Sequence, residues 1–178
     1  PAAIILAAVL ISIGIFFSHK INLPQTASLT KNQRNFQPVL NSYAPLFSLK
    51  TIQGTEMSLE NLRGKNVLLF FWTTWCGYSE REIAGLKQFS DLYRNQIIVL
   101  AINVKENLSI VKNYAESKNI NFIVLRDEDG KTAEKYHVKD TPYHFLIDKE
   151  GKITGVWPFY ASMENLKFLI DELLKGEQ

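Results

Sequence analysis

The sequence predicts an α/β fold, a mixed central sheet flanked by helices, and two patterns carry that expectation. Val67 to Trp72 is an uninterrupted apolar run, Glu80 to Arg94 places Ile83, Leu86, Phe89 and Tyr93 at helical spacing, and Ile97 to Asn103 is again largely apolar. Strand, helix and strand within about forty residues make a βαβ unit with parallel strands and a right-handed crossover. Further on, Tyr143 to Ile147 and Ile153 to Trp157 bracket Asp148-Lys-Glu-Gly151. Two strand-like runs joined by a turn containing glycine form a hairpin, so part of the sheet is antiparallel.

The other elements follow in chain order. Residues 1–17, PAAIILAAVLISIGIFF, carry no charge. As a helix they would reach ~25 Å, slightly short of a hydrocarbon core of roughly 30 Å. No polar face interrupts the run, which argues against a buried core helix. Phe16-Phe17-Ser18-His19 is a poor match to the small residues of a signal-cleavage site. Residues 1–18 are therefore expected to be a transmembrane anchor or uncleaved signal, with the globular part extracytoplasmic on a single-pass membrane protein. Residues 19–42 are polar, lack periodicity and include Pro24 and Pro38, the composition of a linker. Residues 43–178 remain for the folded domain. Phe47–Leu49 and Met57–Leu59 flank Gly54 and suggest an N-terminal hairpin, and Leu59, Leu62 and Gly64 a helical turn with a glycine stop. Leu108–Ser117 reads as a helix, Phe122–Leu125 as a short strand, and Leu166, Leu169, Ile170, Leu173 and Leu174 as the apolar face of a last helix.

Composition narrows the function. Twenty basic residues against 18 acidic ones leave a net charge of +2, scattered along the chain. That is no footprint for nucleic acid, which is not an expected partner. The single cysteine excludes an intramolecular disulfide and a cysteine-rich metal site. No metal or other cofactor is expected.

That cysteine, Cys76, stands in TTWCGYSERE, between the end of a buried strand and the start of a helix. Free backbone N–H groups and the positive end of the helix dipole favour thiolate over thiol at such a place. Trp75 is expected to shield the sulfur on one side, and Gly77 to let another chain approach closely. The small or polar Thr74, Gly77 and Ser79 argue for a surface loop and against an inert buried thiol. Thr141-Pro142 opens what otherwise reads as a central strand, where proline removes a ladder donor and needs a special reason, such as a cis bond. His137 and His144 read as packed or surface histidines, because no spacing ties either to Cys76.

Together these segments resemble the thioredoxin fold. The closer resemblance is to membrane-anchored, extracytoplasmic thiol–disulfide oxidoreductases of the cytochrome c maturation type, within the redoxin (alkyl hydroperoxide reductase–thiol specific antioxidant) superfamily. It spans roughly residues 43–175. The residues that carry it are Ala44-Pro45-x-Phe47-x-Leu49, Gly54, Leu59-x-x-Leu62-x-Gly64-Lys65, Phe71-Trp72-x-x-Trp75-Cys76, Thr141-Pro142 and Phe145-Leu-Ile-Asp-x-x-Gly151. The resemblance implies that Cys76 is the nucleophile that attacks a target disulfide, and that Ser79 stands where the resolving cysteine would be. It implies that Glu82 is an acid tuning the thiol, although Glu82 beside Arg81 also reads as an exposed helical residue. Phe70 falls where ordinary thioredoxins keep a buried aspartate. Trp75, Gly77, Tyr78, Thr141 and Pro142 would face the substrate, with Pro142 as the cis-proline. The implied partners are a disulfide-containing protein, such as apocytochrome c, and a membrane or small-molecule thiol donor.

Ser79 limits what the chain can do. A thiolate opens a disulfide and a second thiol completes the exchange, but a serine hydroxyl stays protonated at neutral pH and cannot take the second part. The protein is then monothiol, with release by an external thiol, or Ser79 is a substitution that traps the mixed disulfide. Two other classes remain open. A one-cysteine peroxiredoxin-like peroxidase would share Thr73-x-x-Cys76, but Leu69 stands where its proline is expected. A non-enzymatic tethered module would use the cis-proline groove to bind extended peptides.

Overall fold

The computed structural model describes residues 40–175, all within one compact unit, Gln37–Gln178. The expected anchor, residues 1–18, and residues 19–39 of the expected linker lie outside the described residues. Among the described residues, no helix is long and apolar enough to cross a membrane.

The strands are β1 (Ser48–Thr51), β2 (Glu56–Ser58), β3 (Asn66–Trp72), β4 (Ile97–Val104), β5 (Ile123–Asp127), β6 (Tyr143–Ile147) and β7 (Ile153–Trp157). The helices are α1 (Gly77–Leu92), α2 (Leu108–Ser117), α3 (Lys131–Lys135) and α4 (Met163–Lys175), with a 3-10 turn at Glu60–Leu62. One seven-stranded sheet runs in the order β2-β1-β5-β4-β3-β6-β7. β3, β4 and β5 are parallel, whereas β1, β6 and β7 pair antiparallel with their neighbours. The mixed sheet expected from the βαβ unit and the C-terminal hairpin is therefore present, with the N-terminal hairpin as its far edge.

Every residue of β3 is buried, and the twofold alternation of a strand sorts its side chains between two cores. Leu68, Phe70 and Trp72 pack with Ile83, Leu86 and Phe89 of α1, Val111 of α2, and Leu166 and Ile170 of α4. Val67, Leu69 and Phe71 pack with Phe47, Leu59, Ala133, Tyr136 and Phe145 on the other face. A strand with no polar side to show must lie in the middle of a sheet, and this one is bracketed by β4 and β6.

The boundaries differ from expectation where capping intervenes. α1 begins at Gly77, directly after Cys76, rather than at Glu80. β5 runs past Leu125 to Asp127, whose buried carboxylate accepts the N–H groups of Thr132 and Ala133 at 3.1 and 2.7 Å. That cap from the preceding strand holds α3, which shows no helical periodicity in the sequence. The chain is also tied down slightly before residue 43: Asn41 N–H donates to Ile153 C=O at 2.7 Å and Ile153 N–H to Ser42 C=O at 2.9 Å. Gly151, in the β6–β7 turn, has φ +81°, and a Cβ there would occupy the space of the Arg63 guanidinium. Arg63 donates to the neighbouring Glu150 carbonyl, so this glycine is needed twice over.

Phe145 makes edge-on contacts with Tyr136 at 4.8 Å and Phe71 at 5.9 Å and is fully buried. Phe145→Ala is expected to destabilise the domain by about 3–5 kcal/mol, measured by urea unfolding; a loss under about 1 kcal/mol would show that this face of the sheet is not close-packed.

Candidate active site

Two strand ends build the site. β3 delivers the chain to Cys76, which takes the N-cap position of α1 with extended backbone angles (φ −84°, ψ 110°). β6 pairs antiparallel with β3 in the register Phe71↔Tyr143, so the residues just before β6 lie beside those just after β3. The sulfur consequently meets Thr141: the thiol donates to its carbonyl at 3.2 Å. The Thr141–Pro142 peptide is cis, and the hydroxyls of Thr73 and Thr141 are 3.0 Å apart.

Cys76 is 9% exposed, more enclosed than the surface loop suggested by its neighbours. Its thiol pKa is lowered from the ordinary 9.0. Burial is the largest single influence and acts in the opposite direction. It is outweighed by donors that gather around the N-cap sulfur: the hydroxyl and N–H of Ser79, the Thr141 hydroxyl and the N–H of Tyr78. Ser79 is completely buried, and its Oγ meets no partner at hydrogen-bond geometry. The hydroxyl at this position is therefore an enclosed group free to turn to the sulfur rather than a surface group.

Glu82 lies inside, not on the exposed face of α1: it is 2% exposed, three residues after Ser79 on the same side of the helix. Its Oε2 accepts the Ala161 N–H at 3.3 Å. Its Oε1 is 2.6 Å from Nε2 of His144, which is fully buried. His144 Nδ1 is 3.3 Å from the Trp157 carbonyl, and Phe70 stacks on the imidazole at 5.2 Å. His144 is packed, as its sequence context suggests, but against the acid of the site. The sequence conceals this because the cross-strand pair Phe70↔His144 exists only once β6 is laid on β3. His137 is exposed and elsewhere.

Trp75 and Tyr78 are 76% and 61% exposed. The Trp75 indole stands largely in water, and the contact that the structure records over the Cys76 sulfur is the Thr141 carbonyl. Gly77 has nothing within 4 Å of where a Cβ would stand, so the helix start is open to an approaching chain. Glu106, which sequence reasoning missed, fixes the loop before the cysteine. Its carboxylate accepts the Thr74 N–H at 2.8 Å, the Thr74 hydroxyl at 2.6 Å and the buried Asn103 amide at 2.7 Å. Among the described residues, no group of three or more His, Cys, Asp or Glu could hold a metal ion.

A cysteine at the N-cap of the helix after the central parallel strand, faced by a cis-proline loop entering an antiparallel strand, defines a thioredoxin-like protein. The chain belongs to the AhpC/TSA family, which it matches over residues 40–156. It is 35% identical over 129 residues to the thiol-disulfide oxidoreductase ResA of Geobacillus thermodenitrificans, covering 72% of this chain and 74% of that protein. A Chlorobium tepidum structure assigned as a thiol:disulfide interchange protein DsbE superposes with a TM-score of 0.72 at 27% identity, over 76% of this chain and 98% of that one. The exposed lipoprotein thioredoxin Etrx1 of Streptococcus pneumoniae does so with a TM-score of 0.66 at 25% identity, over 72% and 99%.

Ser79→Ala removes a donor to the sulfur and is expected to raise the Cys76 pKa, moving the pH midpoint of iodoacetamide alkylation upward. An unmoved midpoint would exclude the hydroxyl from thiolate stabilisation.

Proposed function

We propose that this protein is a membrane-anchored, extracytoplasmic thiol–disulfide exchange protein of the reductase type in which Cys76 captures a partner covalently. The observation that carries the reading is the Cys76 thiol, lowered in pKa at a helix N-cap and lying against the Thr141 carbonyl before Pro142. The names of its relatives, thiol-disulfide oxidoreductase and thiol:disulfide interchange protein, support the same activity. The uncharged run of residues 1–17 supports the anchor, and the exposed lipoprotein among the similar structures supports the location. A disulfide-bearing protein such as apocytochrome c is the proposed substrate.

The chemistry divides at the mixed disulfide. The Cys76 thiolate attacks one sulfur of the partner's disulfide in line with the S–S bond. A new S–S bond forms to Cys76, the old one breaks, and the partner's departing sulfur leaves as a thiolate that takes up a proton. Cys76 is oxidised and the departing sulfur reduced by the same electron pair. Thr141 backbone and Pro142 line the side on which an extended substrate strand would pair, and Trp75, Gly77 and Tyr78 form its open flank. Glu82 tunes the thiol from below. Ser79 has no thiol with which to attack Cys76 Sγ, so a second thiol from outside, of a small molecule or a membrane donor protein, completes the exchange and restores Cys76.

Incubating the full chain with an extracytoplasmic protein extract should give bands on a non-reducing gel that vanish with dithiothreitol. Cys76→Ala should abolish every such band; capture that survives it would remove the assignment. Ser79→Cys should create catalytic reduction of insulin disulfides, and an inert double-cysteine variant would leave the exchange reading without support. A clean gel from a reactive Cys76 would turn the choice to the peroxidase or the peptide-binding module.

A further inference from the structure

We propose that His144 is a positioning residue of the thiol site: it shares one proton with Glu82, and the resulting neutral pair keeps a bare carboxylate from opposing the Cys76 thiolate. This deepens the exchange reading and depends on it for its meaning in turnover, but the arrangement stands on geometry alone.

The proton count follows from the contacts. His144 Nδ1 faces the Trp157 carbonyl at 3.3 Å, and a carbonyl only accepts, so Nδ1 carries a hydrogen. Nε2 lies 2.6 Å from Glu82 Oε1. A bare imidazole nitrogen and a bare carboxylate oxygen at that distance, both essentially out of water, would repel with no compensation. One proton held by the pair relieves that repulsion and leaves it with no net charge, whichever atom holds it; the 2.6 Å approach is a charge contact rather than an aligned hydrogen bond, since neither atom meets hydrogen-bond geometry. The remaining carboxyl oxygen is fixed by Ala161 N–H, and the ring by the Phe70 face, so neither partner can swing to water.

The surroundings leave Cys76 as the charge the pair must accommodate. β3 presents Phe70 and the chain after β7 presents the Ala161 N–H, on the face of the sheet whose apolar cluster includes Leu166 and Ile170 of α4. α1 presents Ser79 and, at its N-cap, Cys76; its Glu80 and Arg81 are exposed. Asp171 of α4 is engaged by the Tyr93 hydroxyl at the other end of α1. Six residues separate Cys76 from Glu82, roughly 9 Å of helix rise. At an effective dielectric constant of roughly 20, a full charge at that distance changes an ionisation equilibrium about twentyfold. Neutralising Glu82 is therefore a change the sulfur would register.

The test uses the full chain as wild type, His144→Asn, Glu82→Gln and the double variant, followed by iodoacetamide alkylation of Cys76 across pH and by thermal unfolding. His144→Asn should slow alkylation by up to about twentyfold at a pH below the wild-type midpoint, and the effect should shrink below about twofold when Glu82 is already Gln. Alkylation of His144→Asn within about twofold of wild type throughout, or an equal slowing in the Glu82→Gln background, would overturn the proposal. If His144→Asn does not fold, nitrogen-15 spectra of the histidines in the wild type decide instead. A protonated Nδ1, with an Nε2 resonance that moves on Glu82→Gln, is the expected result; a bare Nδ1, or an Nε2 indifferent to that change, would overturn it. Neither readout needs a disulfide partner, so failure of the exchange assignment and failure of this pairing are separately visible.

Discussion

The antiparallel pairing of β6 on β3 is the constraint on which the rest of the molecule's chemistry depends. β3 has no exposed residue, and its partners on both sides fix its position without reference to solvent. Because β6 is laid on it in register, the strand's end and the other strand's beginning fall together, and Cys76 meets Thr141. The same register puts His144 opposite Phe70 and so above the buried Glu82 of α1. A shift of one residue would turn every β6 side chain to the other core, sending His144 away from α1 and an apolar side chain to Glu82.

Around that frame, the sulfur's environment is a balance in which burial opposes the thiolate and donors favour it. The backbone donors cost nothing to orient at the moment of reaction, because they are the first N–H groups of a helix. Glu106 adds rigidity by tying Thr74 to Asn103, one end of β3's loop to the end of β4. The reactive group is thus held from several directions by neighbours that are each themselves held.

The sequence made the central elements legible because their signal is local. An apolar run as short and aromatic-rich as Val67–Trp72 reads as a buried strand, and a glycine-bearing turn between Ile147 and Ile153 returns the chain. The cysteine's place at a strand-to-helix junction was equally plain. What stayed hidden was set by contacts distant along the chain. α3 has five residues and stands because Asp127, on a strand, caps it. Glu106 reaches back 32 residues to Thr74, and His144 lies 62 positions from Glu82 (144 − 82).

The complete burial of Ser79 has a kinetic consequence. In the proposed exchange Ser79 cannot resolve a captured partner, because its hydroxyl cannot act and no solvent thiol reaches it. Release would come either from the partner's own departing thiol, which reverses the capture, or from an outside thiol entering by the open flank of Trp75 and Tyr78, which completes it. Under that proposal only the forward outcome would follow the surrounding redox supply: where outside donors are scarce the partner reverts to its disulfide, and where they are plentiful it leaves reduced.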